Sequence, residues 1–293
     1  RISSQSNVAE RFDLSRWRTA GNGADMIRPD VMQNFVNAFA EAGFKAAAFT
    51  PSYGLAEATL AVTVMPPGEG IRVELVEEER LSGARPNLNR PARYRAIVNC
   101  GKPLPDMDVE IRGENGDVRG DHQIGKVWCR GPSIMHSYFR NEEATTDCLV
   151  PADDGGSAWL DTGDMGYMAD GYLFIVGRAK DMIIINGKNH WPQDIEWAVE
   201  QLPGFNHGDI AAFSVEREDG EEAPAVLVHC RVSEPEERIK LRNQIADKVR
   251  GVTGMNCVVE LVPPRSLPRT SSGKLSRAKA KKLYLSGEIQ PLD

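Results

Sequence analysis

The feature that most constrains the fold is a change in the sequence pattern near Gly177, from short β-like runs to alternating strand and helix signals. From about Ile71 to Ile175, short β-like runs alternate with Gly, Pro, Asn and Asp, a pattern typical of a β-rich subdomain. Beyond Gly177, strand and helix patterns alternate over about 115 residues, enough for a separate small α+β domain. We therefore predict a division into 1–177 and 178–293.

Helix and strand signals complete this outline. Residues 29–42 are a predicted helix, because Pro29 suits a first turn, Gly43 follows the end, and apolar residues recur at helical spacing. Its predicted apolar face consists of Val31, Met32, Phe35, Val36 and Phe39. A strand is predicted at 46–49. In the second part we predict strands at 182–185, 209–215, 225–232 and 257–262, and helices at 192–202, at about 235–249 and at the C-terminus.

Composition excludes several classes of protein. The net charge of −7 argues against general nucleic-acid binding, which needs a basic footprint. Apolar stretches stay well short of the roughly 20 residues that span a bilayer. The five cysteines have no paired spacing, so we expect reduced, mostly buried thiols in a cytoplasmic protein. Because the chain begins at Arg1, we expect a fragment, and its sequence does not decide whether the parent carries a targeting signal.

The stretch PRTSSGKLSR (268–277) contains a Gly-Lys pair that invites comparison with a phosphate-binding loop. That motif needs a glycine five residues before the second one and Ser or Thr after the lysine. Here Pro268 takes the place of the first glycine, and Leu275 follows Lys274. The stretch is therefore not a Walker loop, and we interpret it as a flexible tether that carries Lys274.

Four short stretches occur in an order typical of one enzyme superfamily. They are PSYGLAEAT (51–59), WLDTGDMGY (159–167), GRAKDMIIINGKNHWPQDIE (177–196) and PRTSSGKLSR (268–277). Together they resemble the adenylate-forming superfamily of acyl-CoA synthetases, peptide-synthetase adenylation domains and luciferases. The resemblance covers essentially the whole chain and implies an α/β and α+β fold. It comprises the C-terminal part of the large domain, with a β-rich subdomain at about 71–175, and a small mobile α+β domain.

Two stretches narrow the resemblance to one branch. NGKNHWPQDIE (186–196) and VNCGKPLP (98–105) are similar to those of fatty acyl-AMP ligases. That branch implies attack of a medium- or long-chain fatty carboxylate on the α-phosphorus of ATP, with Mg²⁺, giving acyl-AMP and pyrophosphate. The acyl group would pass to an acyl carrier protein of a polyketide or peptide synthase. Lys188 and Trp191 depart from the branch, where Arg and Tyr are expected.

The resemblance makes Lys274 the catalytic cation. Both reactants are anions, and a long ammonium side chain can contact carboxylate and α-phosphate oxygens together. A Gly-Lys pair alone is more simply explained as part of a solvated basic loop. The presence of the other three motifs favours the catalytic role instead. Glu57 is the predicted Mg²⁺ contact, since Mg²⁺ usually takes one or two protein carboxylates; the alternative is an acid stabilising a first helical turn. His190 needs no general-base role, because the attacking carboxylate is already ionised.

The resemblance also implies a nucleotide-binding set. Tyr53 corresponds to the adenine-stacking aromatic residue, with Gly54 and Leu55 letting the backbone approach the nucleotide; alternatively, Tyr53 is a core or turn residue. The stretch NGADM (22–26) is similar to the wall of the adenine pocket, although such residues are common in turns. This wall would consist of Gly23, Ala24 and Asp25.

Three further residues complete the expected site. Asp164 would accept hydrogen bonds from both ribose hydroxyls, or it is a turn aspartate. Arg178 would approach the ribose or phosphate, or it is a surface ion-pair partner. Lys180 matches the family's hinge between the domains, or it belongs to a charged hairpin tip.

The resemblance leaves parts of the enzyme unaccounted for. The loop that holds the β- and γ-phosphates and most of the fatty-acid tunnel would lie upstream of Arg1, so we expect the chain alone to be inactive. An insertion that hinders CoA transfer in this branch would fall at about Gly70–Arg95. The alternatives are a fatty acyl-CoA synthetase and, from another class, a non-catalytic nucleotide- or acyl-AMP-binding module.

Overall fold

The computed structural model describes residues 8–83, 92–185, 187–217, 220 and 222–293. The described residues up to 81 and from 92 to 179 form one compact unit. Residues 82–83 and the described residues from 180 onward form a second unit. The chain thus passes from the first unit to the second between Ala179 and Lys180. The assignment of 1–177 and 178–293 to two domains of a complete enzyme stays a prediction.

Short strands build most of the first unit. In chain order they are β1 (Ala20–Asn22), β2 (Phe49–Tyr53), β3 (Thr63–Val64), β4 (Val73–Glu77), β5 (Tyr94–Val98), β6 (Lys102–Pro103), β7 (Asp108–Arg112), β8 (Gly125–Arg130), β9 (Leu149–Val150), β10 (Trp159–Ala169) and β11 (Tyr172–Arg178). The helices are α1 (Val8–Arg11), α2 (Pro29–Phe39), α3 (Glu78–Leu81) and α4 (Glu142–Cys148), with 3-10 turns at Ala46–Ala48 and Ala56–Ala58.

These strands form separate sheets. One sheet has the order β1-β2-β3-β6, another has the order β11-β10-β8-β7 with β9 paired to β10, and β4 pairs with β5. Strands β4 and β5 agree with the predicted β runs and occupy the two ends of the stretch where an insertion was expected. Residues 84–91 of that stretch lie outside the described residues, so the insertion stays a prediction. The predicted mixed α/β and α+β class is confirmed.

Helix α2 begins as predicted but ends earlier. Pro29 occupies the first turn, where its missing N–H costs nothing. The regular helix ends at Phe39, and not at residue 42. The reason is a Schellman-type ending, in which the Phe44 N–H donates to the Phe39 carbonyl at 3.1 Å and the Gly43 N–H to that of Ala40 at 2.9 Å. Gly43 adopts the left-handed conformation that this ending requires, with φ of 84°.

The strand predicted at 46–49 was wrong for its three alanines. Ala46–Ala48 form a 3-10 turn, and β2 starts only at Phe49. Alanine is depleted in strands because it offers little side chain to pack on a pleated sheet, whereas Phe49 is buried in the core.

An aromatic cluster fills the space between α2 and β2. Phe35 lies with ring centroids 4.5 Å from Phe39, 5.1 Å from Phe44 and 5.7 Å from Phe49. Such offset and edge-on contacts stabilise the core beyond their buried area. Val31 was predicted to belong to the apolar face of α2, but it is 49% exposed and does not contribute to this core.

The second unit is a small sheet covered by helices on both faces. Its strands are β12 (Ile183–Ile185), β13 (Lys188–His190), β14 (Ile210–Glu216), β15 (Glu222–His229) and β16 (Val258–Val262). Its helices are α5 (Pro192–Glu200), α6 (Pro235–Thr253) and α7 (Arg277–Leu285). Strand β15 pairs antiparallel with β14 and parallel with β16, so α6 serves as the crossover that a parallel pair requires. β12 and β13 form a hairpin.

Alternation along β15 separates the two cores of this unit. Val226 and Val228 join the cluster that includes Ile195 of α5 and Ile245 of α6. Their neighbours Ala225 and Leu227 join another cluster, which includes Ala280 of α7. Side chains of successive strand residues point to opposite faces, so this continuous apolar run is explained by helices on both sides.

The state of the cysteines matches the expectation of reduced thiols. All five cysteines are free thiols, and burial raises the pKa of Cys100 and Cys129 to about 12, which keeps these thiols protonated. No helix among the described residues is long and apolar enough to cross a membrane.

Replacing Gly101 by alanine tests a close backbone approach next to β3. Gly101 has φ of +87°, and an added Cβ would lie 2.0 Å from the carbonyl carbon of Val64. Gly68 has φ of +86° with open space around it, so Gly68→Ala is the matched control for backbone strain alone. We expect the free energy of unfolding, measured in urea, to fall by about 1 kcal/mol in Gly68→Ala and by about 3 kcal/mol or more in Gly101→Ala. An equal fall in the free energy of unfolding in both variants would contradict the close approach of Gly101 to Val64.

Candidate functional site

The parallel pair β1–β2 brings two of the predicted segments to one sheet edge. Asn22 lies opposite Pro51 in the register, so both strands end on the same side of the sheet. Residues 23–25 follow β1 there, and residues 54–55 follow β2. In open sheets, ligands bind outside the carboxyl ends of parallel strands. The structure therefore groups Gly23, Ala24 and Asp25 with Gly54 and Leu55, which are far apart in the sequence.

Both glycines at this edge are also required by packing. A Cβ on Gly23 would lie 2.7 Å from the Ser52 carbonyl oxygen, and one on Gly54 would lie 1.7 Å from the Leu60 carbonyl oxygen. Contacts below 3.0 Å are not tolerated by real Cβ atoms. The fold itself thus explains the two glycines, whatever ligand approaches them.

A buried carboxylate stands at the same edge. The Tyr53 hydroxyl donates to Asp164 Oδ2 at 2.7 Å, and Arg178 Nε donates to Asp164 Oδ1 at 3.0 Å. Tyr53 is the last residue of β2, so this hydrogen bond links Asp164 to the end of that strand. Burial, and then the charge of Asp164, raise the pKa of Tyr53 well above its usual value, so the phenol stays protonated and donates.

An irregularity in β10 presents Asp164 to Tyr53. The register of β10 against β8 shifts between Asp161 and Met165, and Gly163 has φ of 71°. The Thr162 hydroxyl donates to the Val127 carbonyl at 2.8 Å and accepts from the Asp164 N–H at 3.2 Å. Strand bulges re-aim side chains next to functional sites. The motif is therefore a bulged strand, and Asp164 is not a simple turn aspartate.

Glu57 lies in the turn Ala56–Ala58 and has a partner that sequence reasoning missed. The Tyr138 hydroxyl donates to Glu57 Oε1 at 2.5 Å, and the Met135 N–H donates to the Glu57 carbonyl at 2.7 Å. Burial, and then this hydrogen bond, raise the pKa of Tyr138. Tyr138 sits 81 residues away in a segment without a recognisable pattern.

The carboxylate of Glu57 fits a magnesium ion held mainly by substrate. Carboxylate oxygen is the ligand that Mg²⁺ prefers, and nucleotide phosphates and waters complete its shell. Within the described ranges, no group of three or more His, Cys, Asp or Glu side chains is arranged to hold a metal ion. The Glu57 carboxylate is an oxygen donor of the kind that such a cation accepts.

Lys180 lies in the 3-10 turn Ala179–Asp181 between β11 and β12. It is the residue at which the chain enters the second unit. A short turn between two strands can absorb a backbone change without breaking a ladder. The hinge role of Lys180 stays a prediction.

Lys274 is carried by a hairpin closed by backbone hydrogen bonds, a geometry that the sequence did not predict. Arg269 and Leu275 form an antiparallel bridge. The Thr270 N–H donates to the Lys274 carbonyl oxygen at 2.8 Å. The Ser276 N–H donates to the Pro268 carbonyl oxygen at 3.0 Å. Small polar residues and Gly273, with φ of 84°, supply the turn chemistry. The Lys274 side chain itself is exposed.

The hairpin is anchored on its N-terminal side by a buried pair. The Leu267 N–H donates to His229 Nε2 at 3.2 Å, while His229 Nδ1 lies 3.2 Å from Asp209 Oδ1. Because Nε2 accepts, the neutral ring carries its proton on Nδ1 and donates it to Asp209. Burial alone would raise the pKa of Asp209, but hydrogen bonds from the Asn206 N–H and His229 outweigh it and hold the pKa below its usual value. Arg269 adds donors to the Gly208 and Gly273 carbonyl oxygens.

Arg277 anchors the C-terminal side through a buried ion group that sequence reasoning also missed. Its Nε and Nη2 each lie 2.7 Å from an oxygen of Glu196, and Nη1 lies 3.1 Å from Asp181 Oδ2. The side chains of Arg277, Glu196 and Asp181 are 16%, 6% and 12% exposed. The group therefore joins the start of α7 to α5 and to the residue after Lys180.

Known proteins match this fold and these motifs. A family model described as "AMP-binding enzyme" matches residues 2–139. A putative acyl-CoA synthetase of Caulobacter vibrioides is 45% identical over 97% of this chain and 49% of its own length. A medium-chain-fatty-acid–[acyl-carrier-protein] ligase of Moorena producens is 37% identical over 95% of this chain and 49% of its own length. A solved structure from a study of fatty acyl-adenylate ligases from E. coli and L. pneumophila has a TM-score of 0.85 at 37% identity, covering 97% of this chain and 50% of that one.

The fold and these similarities define the class of protein to which the chain belongs. The chain belongs to the adenylate-forming superfamily, which confirms the resemblance drawn from its motifs. It spans about half the length of the curated relatives it matches.

Replacing Arg277 by methionine tests the buried ion group. Loss of the counter-ion leaves Glu196 buried and unpaired, which we expect to lower the free energy of unfolding by about 3–5 kcal/mol at pH 7.5. Arg250→Met is the control, because Arg250 is 54% exposed in a surface pair with Asp247, and it should cost less than about 1 kcal/mol.

The loss in Arg277→Met should depend on pH. Burial already raises the pKa of Glu196 despite Arg277, and its removal raises that pKa further above the unfolded value of about 4.3. The folded variant then binds a proton more tightly than the unfolded chain, so it loses stability as pH rises through this window. Urea denaturation at pH 5 and pH 7.5 should show a smaller gap from the parent at pH 5. A gap independent of pH would contradict an unpaired Glu196.

Proposed function

We propose that the complete enzyme containing this chain activates a medium- or long-chain fatty acid with ATP and passes the acyl group to an acyl carrier protein. The observation that supports this proposal is that residues 23–25 and 54–55 follow the parallel strands β1 and β2 at one sheet edge, and that Tyr53 at the end of β2 donates to the buried Asp164. A nucleotide needs such an edge and such an acceptor. The names of the relatives support the fatty acid as the substrate class.

The nucleotide would be held by the predicted set. Residues 23–25 and 53–55 would line the adenine. Asp164 would accept from the ribose hydroxyls, because a carboxylate offers several lone-pair positions. Arg178 would bring positive charge to the same edge.

The reaction needs positioning and charge neutralisation more than proton transfer. A carboxylate oxygen of the fatty acid attacks the α-phosphorus, and a new O–P bond forms. The bond from that phosphorus to the bridging oxygen breaks, and its electron pair leaves with pyrophosphate. Lys274 would neutralise charge that develops on the α-phosphate oxygens. Mg²⁺, when bound to Glu57 and the phosphates, supplies further neutralisation.

A second candidate is a fatty acyl-CoA synthetase. The relative from Caulobacter vibrioides is named a putative acyl-CoA synthetase, whereas that from Moorena producens is named for an acyl carrier protein. The first half-reaction would use the same residues in either case. A non-catalytic acyl-AMP-binding module is the third candidate.

Product identification separates these candidates. The complete gene product is incubated with ATP, Mg²⁺, a C12 fatty acid and CoA, and products are identified by mass spectrometry. We expect acyl-AMP to accumulate while CoA stays unchanged, and addition of a pantetheinylated carrier protein should consume the acyl-AMP. Formation of acyl-CoA would assign the protein to the synthetases, and bound AMP without any product would favour the binding module.

Lys274→Ala tests the catalytic cation. We expect the rate of acyl-AMP formation to fall by about 10²–10³-fold, the effect of removing one preorganised charge stabiliser. AMP affinity and the thermal midpoint should stay close to the parent values, because Lys274 is exposed. Lys279→Ala removes an equally exposed lysine from α7 and should leave the rate unchanged. An unaltered rate in Lys274→Ala would show that another group provides the charge.

A further inference from the structure

We propose that Tyr138 is a positioning residue for the Glu57 carboxylate and sets its preference for Mg²⁺ over larger divalent cations. The inference rests on the proposed function, in which Glu57 contacts a nucleotide-bound cation. The Tyr138 hydroxyl donates to Oε1 and fixes the orientation of the carboxylate, which favours binding of the metal through Oε2 alone.

The contact between the two side chains is short and direct. The Tyr138 hydroxyl lies 2.5 Å from Glu57 Oε1, in the range of a hydrogen bond to an ionised acceptor. Both residues are half-buried. Among the described residues, no other side chain is hydrogen-bonded to the Glu57 carboxylate.

The backbones that carry Glu57 and Tyr138 are tied together. The Met135 N–H donates to the Glu57 carbonyl oxygen at 2.7 Å, and the Thr59 hydroxyl donates to the Ser133 carbonyl oxygen at 3.0 Å. These bonds hold the turn of Glu57 against the segment 133–138. The side-chain contact is therefore made between two fixed pieces of backbone and needs little further ordering.

The start of α4 fixes Tyr138 from the other side. The Tyr138 N–H donates to the Thr145 hydroxyl at 2.9 Å, and that hydroxyl donates to the Asn141 carbonyl at 2.8 Å. Asn141 in turn caps α4, because its side chain accepts from the Ala144 N–H. Tyr138 is thus held at its backbone by a helix cap and at its hydroxyl by Glu57.

One-oxygen binding suits Mg²⁺ better than Ca²⁺. Mg²⁺ demands near-octahedral geometry at short distances, whereas Ca²⁺ accepts carboxylates through both oxygens in larger, flexible shells. The Tyr138 hydrogen bond takes one of the two lone pairs of Oε1 and holds the carboxylate in one orientation, so turning the carboxylate to chelate Ca²⁺ through both oxygens weakens that bond. Removing the Tyr138 hydroxyl frees the carboxylate to turn and to bind through both oxygens.

The test compares Tyr138→Phe with the parent in the complete gene product. Binding of ATP is followed by isothermal titration at graded free Mg²⁺ and then Ca²⁺, without fatty acid. We expect the Mg²⁺ concentration for half-maximal ATP binding to rise about tenfold, the order expected for losing a hydrogen bond to a charged group. The ratio of the Ca²⁺ to the Mg²⁺ requirement should fall by at least as much, a change that simple destabilisation does not produce.

A matched control exists in the same unit. The Tyr172 hydroxyl donates to Glu69 Oε2 at 2.8 Å, so Tyr172→Phe removes the same chemistry from a pair with no predicted site role. Its metal preference should equal that of the parent. A change of the same size in Tyr172→Phe would overturn the proposal, because the effect would then be general.

Glu57→Gln separates the failure of this inference from failure of the metal role. If Glu57→Gln weakens the Mg²⁺ dependence but Tyr138→Phe behaves like the parent, the positioning role is overturned and the proposed function stands. If Glu57→Gln leaves the dependence unchanged, the metal contact of Glu57 fails, and the inference fails with it.

Discussion

The hydrogen bond between the Tyr53 hydroxyl and the Asp164 carboxylate joins two sheets of the first unit across 111 residues of sequence. A carboxylate that is almost fully buried is costly unless donors satisfy it. Tyr53 from β2 and Arg178 from β11 supply those donors, and the bulge in β10 turns Asp164 toward them. The residue expected to receive a ribose is therefore also the one that sets where the two sheets meet. Its substitution tests packing and ligand binding together. Lys274 is exposed, and Tyr138→Phe removes only a hydroxyl, so these two positions separate function from folding more cleanly.

In the second unit, the main feature is a hairpin that carries the exposed Lys274. The hairpin around Lys274 is closed by its own backbone and pinned at both ends by buried polar groups, His229 with Asp209 and Arg277 with Glu196. Those groups rest on a sheet covered on both faces. The internal geometry of the hairpin is thus tied to the core of its unit.

Periodic features were predictable from the sequence, and long-range polar contacts were not. The β runs between residues 71 and 175 and the helices opened by Pro29 and Pro192 follow from turn residues between short apolar runs, helical spacing and proline chemistry. The bulge at Asp164, the partner Tyr138 and the ion group of Arg277 depend on side chains 81 to 111 residues apart. Such contacts leave no period in the sequence. The hairpin at Lys274 was missed for another reason, because its Ser, Thr and Gly residues are equally typical of an open loop and of a tight turn.

The choice of acyl acceptor is a separate physical question from adenylate formation. Lys274, Glu57 and Asp164 are expected to act before any acceptor arrives, so their presence is compatible with both carrier protein and CoA. Discrimination must come from groups that meet the acceptor, and the stretch between β4 and β5 is where an obstructing insertion was expected. Its described ends are a paired hairpin, from Val73 opposite Val98 to Glu77 opposite Tyr94. A rigid strand pair can hold an insertion in one place, whereas a loose loop would move aside at little cost. The strand pairing fixes where such an insertion would begin and end, and a role of that stretch in acceptor choice stays a prediction.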